Sequence, residues 1–330
     1  MYKEFLSNIQ NYSHVGVLSH ERPDGDCIGA QIALCLWLEK KGIKTTAFND
    51  DDIPENLQWL LNYTPVQKQK HHKLDDCDLL ILVDGNSVHR FGSFDEWFEG
   101  KSVPLWMIDH HPDPEDVFDL MISVPEISST CELVYNLISK DNADLIDQKM
   151  AKALYTGIIT DTGSLQFESV TPQTVKVTAD LLRRGDFRPN EVIEIIYSNK
   201  TLPQLKLLSK ALQTIRLYKN NQIAVISVNE EMLKETGTSY SETEGFVSYP
   251  LSISGVKAAI FLKDFFDEGI RISLRSRSDI DVNIWAREIG GGGHKKAAGA
   301  WHRGPLEQAI KDVVAIGAKQ IDERKANSDI

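Results

Sequence analysis

The stretch that sets the architecture reads Val15-Gly16-Val17-Leu18-Ser19-His20-Glu21-Arg22-Pro23-Asp24-Gly25-Asp26. Its first four residues form a compact apolar run, which predicts a buried strand. Beyond the polar loop, apolar residues recur at helical spacing from Ile28 as far as Gly42, where a glycine is a typical helix stop. The stretch therefore predicts a strand and a helix, with an imidazole and several carboxylates in the loop that joins them.

The same alternation continues through the first half of the chain. Apolar runs predict strands over 44–48, 79–83 and 103–108, and helical patterns cover 129–140, 147–159 and a segment that begins at Thr171. Strands that alternate with helices are typical of a parallel sheet covered on both faces. We therefore expect an α/β fold whose N-terminal domain has a parallel sheet with helices on both faces.

A polar segment over 183–190 contains glycine and proline and marks the end of this domain. A length of 330 residues also favours about two domains. The second half predicts strands near 223–228, 255–262 and 270–274 and a closing helix. We predict an N-terminal domain over 1–186, a linker helix over 187–203 and a smaller α/β C-terminal domain over 204–330.

The composition is that of a soluble globular protein, with 42% hydrophobic and 25% charged residues. This excludes a disordered, collagen-like or disulfide-scaffold chain. The apolar run Leu79–Val83 is far shorter than the ~20 residues of a membrane span, and the start lacks the pattern of a secretory signal. The four cysteines have no CxxC spacing, which indicates buried free thiols and a cytoplasmic protein.

Charge is shared unevenly between the two halves. Residues 1–199 carry 17 Lys and Arg against 32 Asp and Glu, whereas residues 200–330 carry 19 against 16. An acidic half suits bound cations, and a mildly basic half suits an anionic ligand. The total of −12 argues against a protein that coats long nucleic acid by charge alone.

Ligand-type side chains follow three of the predicted strands and one helix. In parallel sheets, groups at the carboxyl ends of strands meet at one edge. Each group taken alone also fits a turn or a helix cap, but their coincidence at four element ends indicates a shared site. Carboxylate oxygens with a few imidazoles suit Mn²⁺ or Mg²⁺ better than zinc or copper. The set comprises His20, Asp24, Asp26, Asp84, Asp109, His110, His111 and Asp161.

This ordered set resembles the motifs of the DHH phosphoesterases: His20-x3-Asp24-Gly25-Asp26, then Asp84, then Asp109-His110-His111, then Asp161. The second half resembles the DHH-associated C-terminal domain in Ser273-Leu274-Arg275-Ser276, in Asp281-Val282-Asn283 and in the run from Gly290 to Gly299. The resemblance covers nearly the whole chain. Within the family it is greatest to the NrnA-like oligoribonucleases, which are also 3′-phosphoadenosine 5′-phosphate (pAp) phosphatases.

The resemblance implies two divalent metal ions, with Mn²⁺ expected and Mg²⁺ or Co²⁺ as alternatives. One ion would be held by His20, Asp24 and Asp84, and the other by Asp26, Asp84, His110 and Asp161, so that Asp84 bridges them. Asp109 and His111 are the predicted catalytic residues: Asp109 would orient a neighbouring imidazole and His111 would face the substrate. A water activated to hydroxide between the ions would attack phosphorus.

The glycine run of the second half is the other candidate site. Glycines allow backbone N–H groups to approach an anion closely, although four glycines also fit a flexible linker. The resemblance implies that this domain binds the terminal phosphate and base of a nucleotide. Arg90, which follows Asp84 in the chain, resembles a motif arginine near the metals. The predicted substrate-binding residues are Arg90, Arg275, Ser276, Gly291, Gly292, Gly293 and His294.

The resemblance implies an enzyme that hydrolyses short oligoribonucleotides and dinucleotides to mononucleotides, in either direction, and pAp to AMP. A cyclic dinucleotide phosphodiesterase, a family II-type inorganic pyrophosphatase and a non-catalytic nucleotide-binding protein are the alternatives. The expected partners are short single-stranded RNA, dinucleotides and pAp, with no membrane and no long duplex nucleic acid. A homodimer is compatible with the sequence.

Overall fold

The computed structural model describes residues 1–68, 74–98, 103–266, 268–277, 279–293 and 295–328. The chain divides into two compact units, Met1–Asn199 and Lys200–Ile330. The division falls inside the predicted linker 187–203. The helix Pro189–Tyr197 lies within the same range, and it buries Val192 and Ile196 in the core of the first unit.

The first unit contains a six-stranded sheet with the order β3-β2-β1-β4-β5-β6. Every neighbouring pair is parallel, so the prediction of a parallel sheet is confirmed. The chain moves outward from β1 in both directions, and the strand order therefore reverses between β1 and β4. The strands are β1 His14–Ser19, β2 Lys44–Asn49, β3 Val66–Lys68, β4 Leu79–Val83, β5 Leu105–Asp109 and β6 Leu120–Ser123.

Helices cover both faces of this sheet. One core packs Val15, Val17 and Ile81 against the long helices, and the other packs Leu18, Leu80 and Leu82 against the opposite face. The α-helices are Tyr2–Asn8, Gly25–Lys40, Phe94–Phe98, Thr130–Asn142, Gln148–Asp161, Pro172–Gly185 and Pro189–Tyr197, with 3-10 turns at Ile9–Asn11, Glu55–Asn62, Val88–Phe91 and Ala143–Leu145.

The second unit contains a six-stranded mixed sheet with the order β11-β12-β10-β9-β8-β7. The pair β8 and β9 is parallel and the other pairs are antiparallel. The strands are β7 Arg216–Tyr218, β8 Ile223–Val228, β9 Ala258–Asp264, β10 Ile270–Ser276, β11 Gly292–Gly293 and β12 Ala297–His302. The helices are Leu202–Gln213, Glu230–Thr236, Ser248–Leu251, Val282–Glu288 and Leu306–Ser328, with a 3-10 turn at Tyr240–Thr243.

The thiols of Cys27, Cys35, Cys77 and Cys131 are free and buried, as the sequence predicts. Within the described part of the chain, none of the helices has the length and apolar character needed to cross a membrane.

Candidate active site

The centre of the site is the point where the strand order of the first sheet reverses. His20 follows β1 and Asp84 follows β4, and these strands are direct neighbours in the sheet. Asp84 has a positive φ of 61°, an uncommon backbone conformation that aspartate tolerates better than most residues. The His20 Nε2 atom lies 3.3 Å from Asp84 Oδ2. Ligand sites in open parallel sheets form at such reversal points.

The two carboxylate oxygens of Asp84 face two different groups of side chains. Oδ2 lies towards His20, whereas Oδ1 lies 3.6 Å from His110 Nε2. Oδ1 also accepts a hydrogen bond of 2.9 Å from the Thr130 hydroxyl. Asp84 is buried, and burial alone would raise its pKa, but the hydrogen bond from His20 and the neighbouring imidazoles hold that pKa well below its ordinary value. Asp84 is thus held as a carboxylate between two sets of donors.

Asp24 belongs to the His20 side of the site. It caps the helix Gly25–Lys40, and its Oδ1 accepts hydrogen bonds from the backbone N–H groups of Asp26 at 3.0 Å and Cys27 at 3.1 Å. Its other oxygen, Oδ2, lies 3.9 Å from His20 Nε2. Because the cap uses only Oδ1, the capping role and a ligand role are compatible at this residue.

Asp26 lies in the first turn of the same helix and is almost fully buried. Its two oxygens accept hydrogen bonds from the backbone N–H groups at the start of the helix Thr130–Asn142, 2.7 Å from Thr130 and 2.9 Å from Cys131. Burial, with the carboxylates of Asp84 and Asp161, raises the pKa of Asp26 well above its ordinary value. The carboxyl groups of Asp26, Asp84 and Asp161 are therefore close enough for their charges to interact.

His110 and Asp161 complete the second side. His110 Nε2 lies 3.5 Å from Asp161 Oδ2, at the end of the helix Gln148–Asp161, and 3.6 Å from Asp84 Oδ1. Burial alone would lower the pKa of His110, but the carboxylates of Asp161, Asp84 and Asp26 outweigh it and raise the pKa to about 9. The direction of this shift shows that the surroundings favour a positive charge at this position.

Asp109 and His111 form a hydrogen-bonded pair beside Asp84. His111 Nδ1 lies 2.7 Å from Asp109 Oδ1, and since a carboxylate accepts, the ring donates through Nδ1–H. Asp109 is fully buried at the end of β5, and its Oδ2 is a buried acceptor without a hydrogen-bond partner among the described residues. Asp109 is therefore placed to orient the imidazole of His111. The rings of His110 and His111 diverge, with an interplanar angle of 71°.

The His20 ring provides a test of whether a cation fits here. Its Nδ1 lies 2.6 Å from the Glu21 carbonyl oxygen, so Nδ1 carries the hydrogen. In the neutral ring, Nε2 then presents a lone pair to Asp84 Oδ2 at 3.3 Å. A nitrogen lone pair and a carboxylate oxygen at this separation need a positive charge between them, which either a proton on Nε2 or a metal ion supplies; divalent ions that bind oxygen and nitrogen at ~2–2.2 Å suit the spacing. The residues present fit a divalent metal ion.

Among the residues that the structure describes, three candidate ligand groups are formed, each with its donor atoms within 4.8 Å of one another. The groups are His20 with Asp24 and Cys27, Asp84 with His110 and His111, and Asp26 with His110 and Asp161. All six predicted metal ligands are thereby brought together in these groups. Cys27 was not predicted from the sequence as a ligand, because an isolated cysteine in an apolar helical pattern indicates a buried thiol.

Two residues that support the site, Gln31 and Asn49, were also not predicted from the sequence. The buried Gln31 side chain donates to the carbonyl oxygens of Val17 and Phe48, both at 2.8 Å, and joins the ends of β1 and β2. The Asn49 amide donates to the His20 carbonyl at 3.0 Å and holds the loop that carries this imidazole. The only signal in the sequence is a polar residue within an apolar run, which does not identify its partner.

Two glycines bring the helices of the site into close contact. A Cβ on Gly29 would lie 2.4 Å from the Ala153 carbonyl oxygen, and one on Gly157 would lie 2.1 Å from Cys131 Sγ and 2.7 Å from Asp26 Oδ1. Contacts this short do not occur for real Cβ atoms. The glycines therefore permit the approach of the helices Gly25–Lys40 and Gln148–Asp161, which carry Asp26 and Asp161.

Arg90, one of the predicted substrate-binding residues, is half-buried in the turn Val88–Phe91. Its carbonyl oxygen accepts a hydrogen bond of 2.8 Å from the Glu21 N–H group, next to His20. The backbone of Arg90 is therefore tied to the loop that carries the first candidate ligands.

The other predicted substrate-binding residues lie in the second unit. Arg275 is half-buried on β10, and Gly292 and Gly293 form the edge strand β11, paired with Gly299 and Ala298. The Gly291 N–H group is used within the fold, where it donates to the Ala286 carbonyl at 2.8 Å. The glycine run is therefore part of the sheet in this structure. His294 lies outside the described residues.

Ser276 is another of the predicted substrate-binding residues. It is buried, and its Oγ donates to the Ile280 carbonyl at 2.8 Å. The hydroxyl hydrogen is thus committed to the turn after β10, and only its lone pairs could contact a ligand.

Comparison with known proteins agrees with this architecture. The model of the DHH family, N-terminal domain, matches residues 14–158, and the DHHA1 domain model matches residues 219–321. The chain is 28% identical over 302 residues to the bifunctional oligoribonuclease and PAP phosphatase NrnA of Bacillus subtilis, covering 91% of this chain and 93% of that protein. It is 37% identical over 309 residues to the uncharacterized protein MG371 homolog of Mycoplasma pneumoniae, covering 89% of each.

Among solved structures, an exopolyphosphatase-related protein from Bacteroides fragilis superposes with a TM-score of 0.91 at 28% identity and covers 97% of both chains. The two domain models match in the same order as the two structural units, and the candidate ligands from His20 to His111 lie within the first match. The chain therefore belongs to the DHH family, with a DHHA1 domain in its second unit.

Proposed function

We propose that this protein is a metal-dependent phosphoesterase that hydrolyses short oligoribonucleotides to mononucleotides and pAp to AMP. The observation that carries the proposal is the position of Asp84, whose two oxygens face His20 on one side and His110 on the other. A carboxylate whose two oxygens face two groups of ligands can bridge two metal ions. The name of the Bacillus subtilis relative, an oligoribonuclease and PAP phosphatase, supplies the substrate classes.

Two divalent ions are the proposed cofactors, with Mn²⁺ as the expected ion and Mg²⁺ or Co²⁺ as alternatives. His20, Asp24 and Asp84 would hold one ion, and Asp26, Asp84, His110 and Asp161 the other. When bound, such a pair neutralises phosphoryl oxygens and lowers the pKa of a water molecule. The donor set is rich in carboxylates, which favours these ions over softer ones.

The residues around the ligands position the reacting groups. The Glu21 carbonyl holds the His20 ring with Nε2 directed to Asp84, and backbone N–H groups of Thr130 and Cys131 hold both oxygens of Asp26. These bonds are made within the protein fold itself, so they need little reorganisation during reaction.

His111 is the proposed donor of a proton to the leaving oxygen. Its Nδ1–H donates to Asp109, and Nε2 is the ring nitrogen that we propose acts on the leaving group. In hydrolysis the phosphorus gains an oxygen from water, the bond from phosphorus to the leaving oxygen breaks, and that oxygen takes a proton. The hydrogen bond to Asp109 fixes the orientation of the His111 ring, which this step requires.

The second unit is proposed to recognise the nucleotide. Arg275 supplies a guanidinium that can bind a phosphate with two parallel hydrogen bonds. The edge strand Gly292–Gly293 has no side chains to block a close approach of its backbone. A mildly basic composition of residues 200–330, with 19 Lys and Arg against 16 Asp and Glu, agrees with an anionic ligand. Such substrates fit the cytoplasmic location that the sequence predicts.

The test is a comparison of hydrolysis rates on a substrate panel. The purified protein would be incubated with Mn²⁺, Mg²⁺ or Co²⁺, or with EDTA, and with a diribonucleotide, a pentaribonucleotide, pAp, a cyclic dinucleotide or pyrophosphate. We expect mononucleotides from the short RNAs, AMP from pAp, and no product in EDTA. If pyrophosphate or the cyclic dinucleotide were hydrolysed faster than the short RNAs and pAp, the proposed substrate class would be wrong. Nucleotide binding without turnover in any metal would indicate a binding protein.

A further inference from the structure

One face of the second sheet carries aromatic and basic side chains side by side. Arg271 on β10 is directly opposite Lys263 on β9 and directly opposite Trp301 on β12. Residues directly opposite in antiparallel ladders point to the same face. The three side chains therefore form a row across three adjacent strands, which we call the Arg271 row.

Aromatic rings extend this row at the end of the strands. The Phe265 ring lies 5.5 Å from the Trp301 ring and 4.0 Å from the Tyr240 ring, measured between centroids. Trp301 is nevertheless 46% exposed and Phe266 is 76% exposed. Large aromatic side chains are usually covered in a folded domain, so a cluster with this exposure marks a surface where a ligand binds.

The rest of the same face is only partly covered. Along β10, Arg271, Ser273 and Arg275 are half-buried and alternate with Ile270, Ile272 and Leu274, which are buried in the core on the other side. Ala297 is opposite Arg275 and Trp301 is opposite Arg271. The proposed nucleotide-binding residue Arg275 and the Arg271 row therefore share one face, four residues or ~13 Å apart along the strands.

The charge on this face favours an anion. The Lys263 Nζ donates to the Tyr240 carbonyl at 3.2 Å and lies 5.5 Å from the Phe261 ring centroid. Burial and the neighbouring Arg271 lower the pKa of Lys263 to about 8, as expected where two cations share one patch. Two acidic groups are also present: Glu244 acts on Lys263 and raises its pKa, and Asp264 Oδ1 accepts a hydrogen bond from the Phe266 N–H group at 3.0 Å.

We propose that the Arg271 row binds a single-stranded oligonucleotide, with one base stacked on Trp301 and the phosphate backbone beside Arg271 and Lys263. Single-strand binding surfaces combine a positively charged path with aromatic rings that accept any base. The inference rests on the proposed function, which assigns a nucleotide to Arg275. The Arg271 row adds a second contact point for RNA longer than a dinucleotide. Affinity would therefore increase with chain length.

The test is a binding titration in EDTA, which separates binding from hydrolysis. Fluorescence anisotropy would measure the affinity of the full-length protein for a labelled diribonucleotide, a hexaribonucleotide and an abasic hexamer of the same charge. We expect Trp301→Ala to weaken binding of the hexaribonucleotide about tenfold, within the range of losses seen when a stacking side chain is removed. Binding of the diribonucleotide should change less than twofold, and Trp301→Phe should retain most of the hexamer affinity.

Two controls make the outcome decisive. Leu217→Ala removes another exposed apolar side chain, 40% exposed on β7 at the opposite edge of the sheet, and should leave both affinities unchanged. Arg271→Gln should weaken hexamer binding and reduce its salt dependence. Equal hexamer affinities of the wild type and Trp301→Ala, or abasic binding as tight as RNA binding, would overturn the inference.

Light scattering tests the other occupant of an exposed aromatic surface, a second copy of this chain. If Trp301→Ala converts a dimer into a monomer without changing hexamer affinity, the row is a subunit contact and not a nucleic-acid surface. Hydrolysis of the diribonucleotide is scored separately, so a failure of the proposed function is distinguishable from a failure of this inference.

Discussion

The candidate metal site of the first unit and the Arg271 row of the second unit are built in opposite ways. The first gathers buried side chains from distant parts of the sequence, such as His20, Asp84 and Asp161, because parallel strands deliver their ends to one edge. The second takes half-exposed side chains from adjacent antiparallel strands, where register alone makes them neighbours.

Because of this difference, the metal site depends more strongly than the Arg271 row on the residues around it. In the metal site, buried carboxylates are costly unless a cation and fixed hydrogen bonds compensate them. Several candidate ligands there have a supporting group, such as Glu21 for His20 or Thr130 for Asp26. On the exposed face, water screens the charges, so single contacts contribute less. Substitutions should therefore have larger effects in the first unit than in the second.

The largest effect is expected for Asp84→Asn, which removes the charge shared by both sides of the site. Asparagine tolerates the positive φ of this position, so the backbone should remain unchanged. We expect kcat to fall by ~10³-fold or more, since a bound metal ion contributes several kcal/mol of transition-state stabilisation.

Thermal unfolding with and without Mn²⁺ checks the cause of this loss. The melting temperature of the wild type should rise with Mn²⁺, and that of Asp84→Asn should rise much less, because ligands stabilise only the state that binds them. In EDTA the variant should be less stable than the wild type near neutral pH, since the lowered pKa of Asp84 shows that its negative charge is favoured in the folded protein. An unchanged Mn²⁺ response would contradict the bridging role.

Asp109→Asn should have the next largest effect. The amide oxygen can still accept from His111 Nδ1–H, but the hydrogen bond to a charged carboxylate becomes a weaker bond to a neutral amide. We expect kcat to fall by ~10–100-fold, as for other residues that orient an active-site histidine, with little change in KM. The matched control is Asp119→Asn, whose carboxylate accepts from the Leu105 N–H group at 2.8 Å at the other end of β5. Equal losses of kcat in the two variants would indicate a structural role only.

Gly157→Ala tests the close packing behind Asp26. In an open helix position, alanine is about 1 kcal/mol more favourable than glycine. Here the new Cβ would lie 2.1 Å from Cys131 Sγ, so we expect the free energy of unfolding to fall by about 1–3 kcal/mol instead. Urea denaturation measures whether the free energy of unfolding falls or rises. A rise would contradict the prediction and show that the helices can move apart without loss of stability. A weaker Mn²⁺ affinity should accompany the loss, because Asp26 Oδ1 lies at 2.7 Å from the same position.

The smallest effect is expected for Ser276→Ala in the second unit. Its hydroxyl donates to the Ile280 carbonyl, and loss of one such bond costs about 1 kcal/mol of stability. Chemical denaturation measures this value, and a titration with pAp measures affinity. We expect affinity to change less than twofold, whereas a tenfold loss of affinity with unchanged stability would assign the hydroxyl to the substrate.

Much of the fold followed from local patterns. The buried strand predicted over 79–83 is β4, and the strand predicted near 223–228 is β8, because continuous apolar runs bounded by polar residues have few alternatives in a large domain. Short strands such as β3 and β11 were not predicted. Two or three residues carry no periodicity, and their extended form depends on the neighbouring strand.

By itself, the sequence determined the alternation of the longer strands and helices in the first unit. It also determined a set of candidate ligands, because ligand-type side chains at the ends of predicted strands can be identified without knowing the neighbours. Only the tertiary structure decided which oxygen of Asp84 faces which imidazole, that Gly157 must lack a side chain, and that the Ser276 hydroxyl is committed within the fold. These properties depend on distances between segments far apart in the chain, and such distances are set by packing and register, which no local pattern encodes.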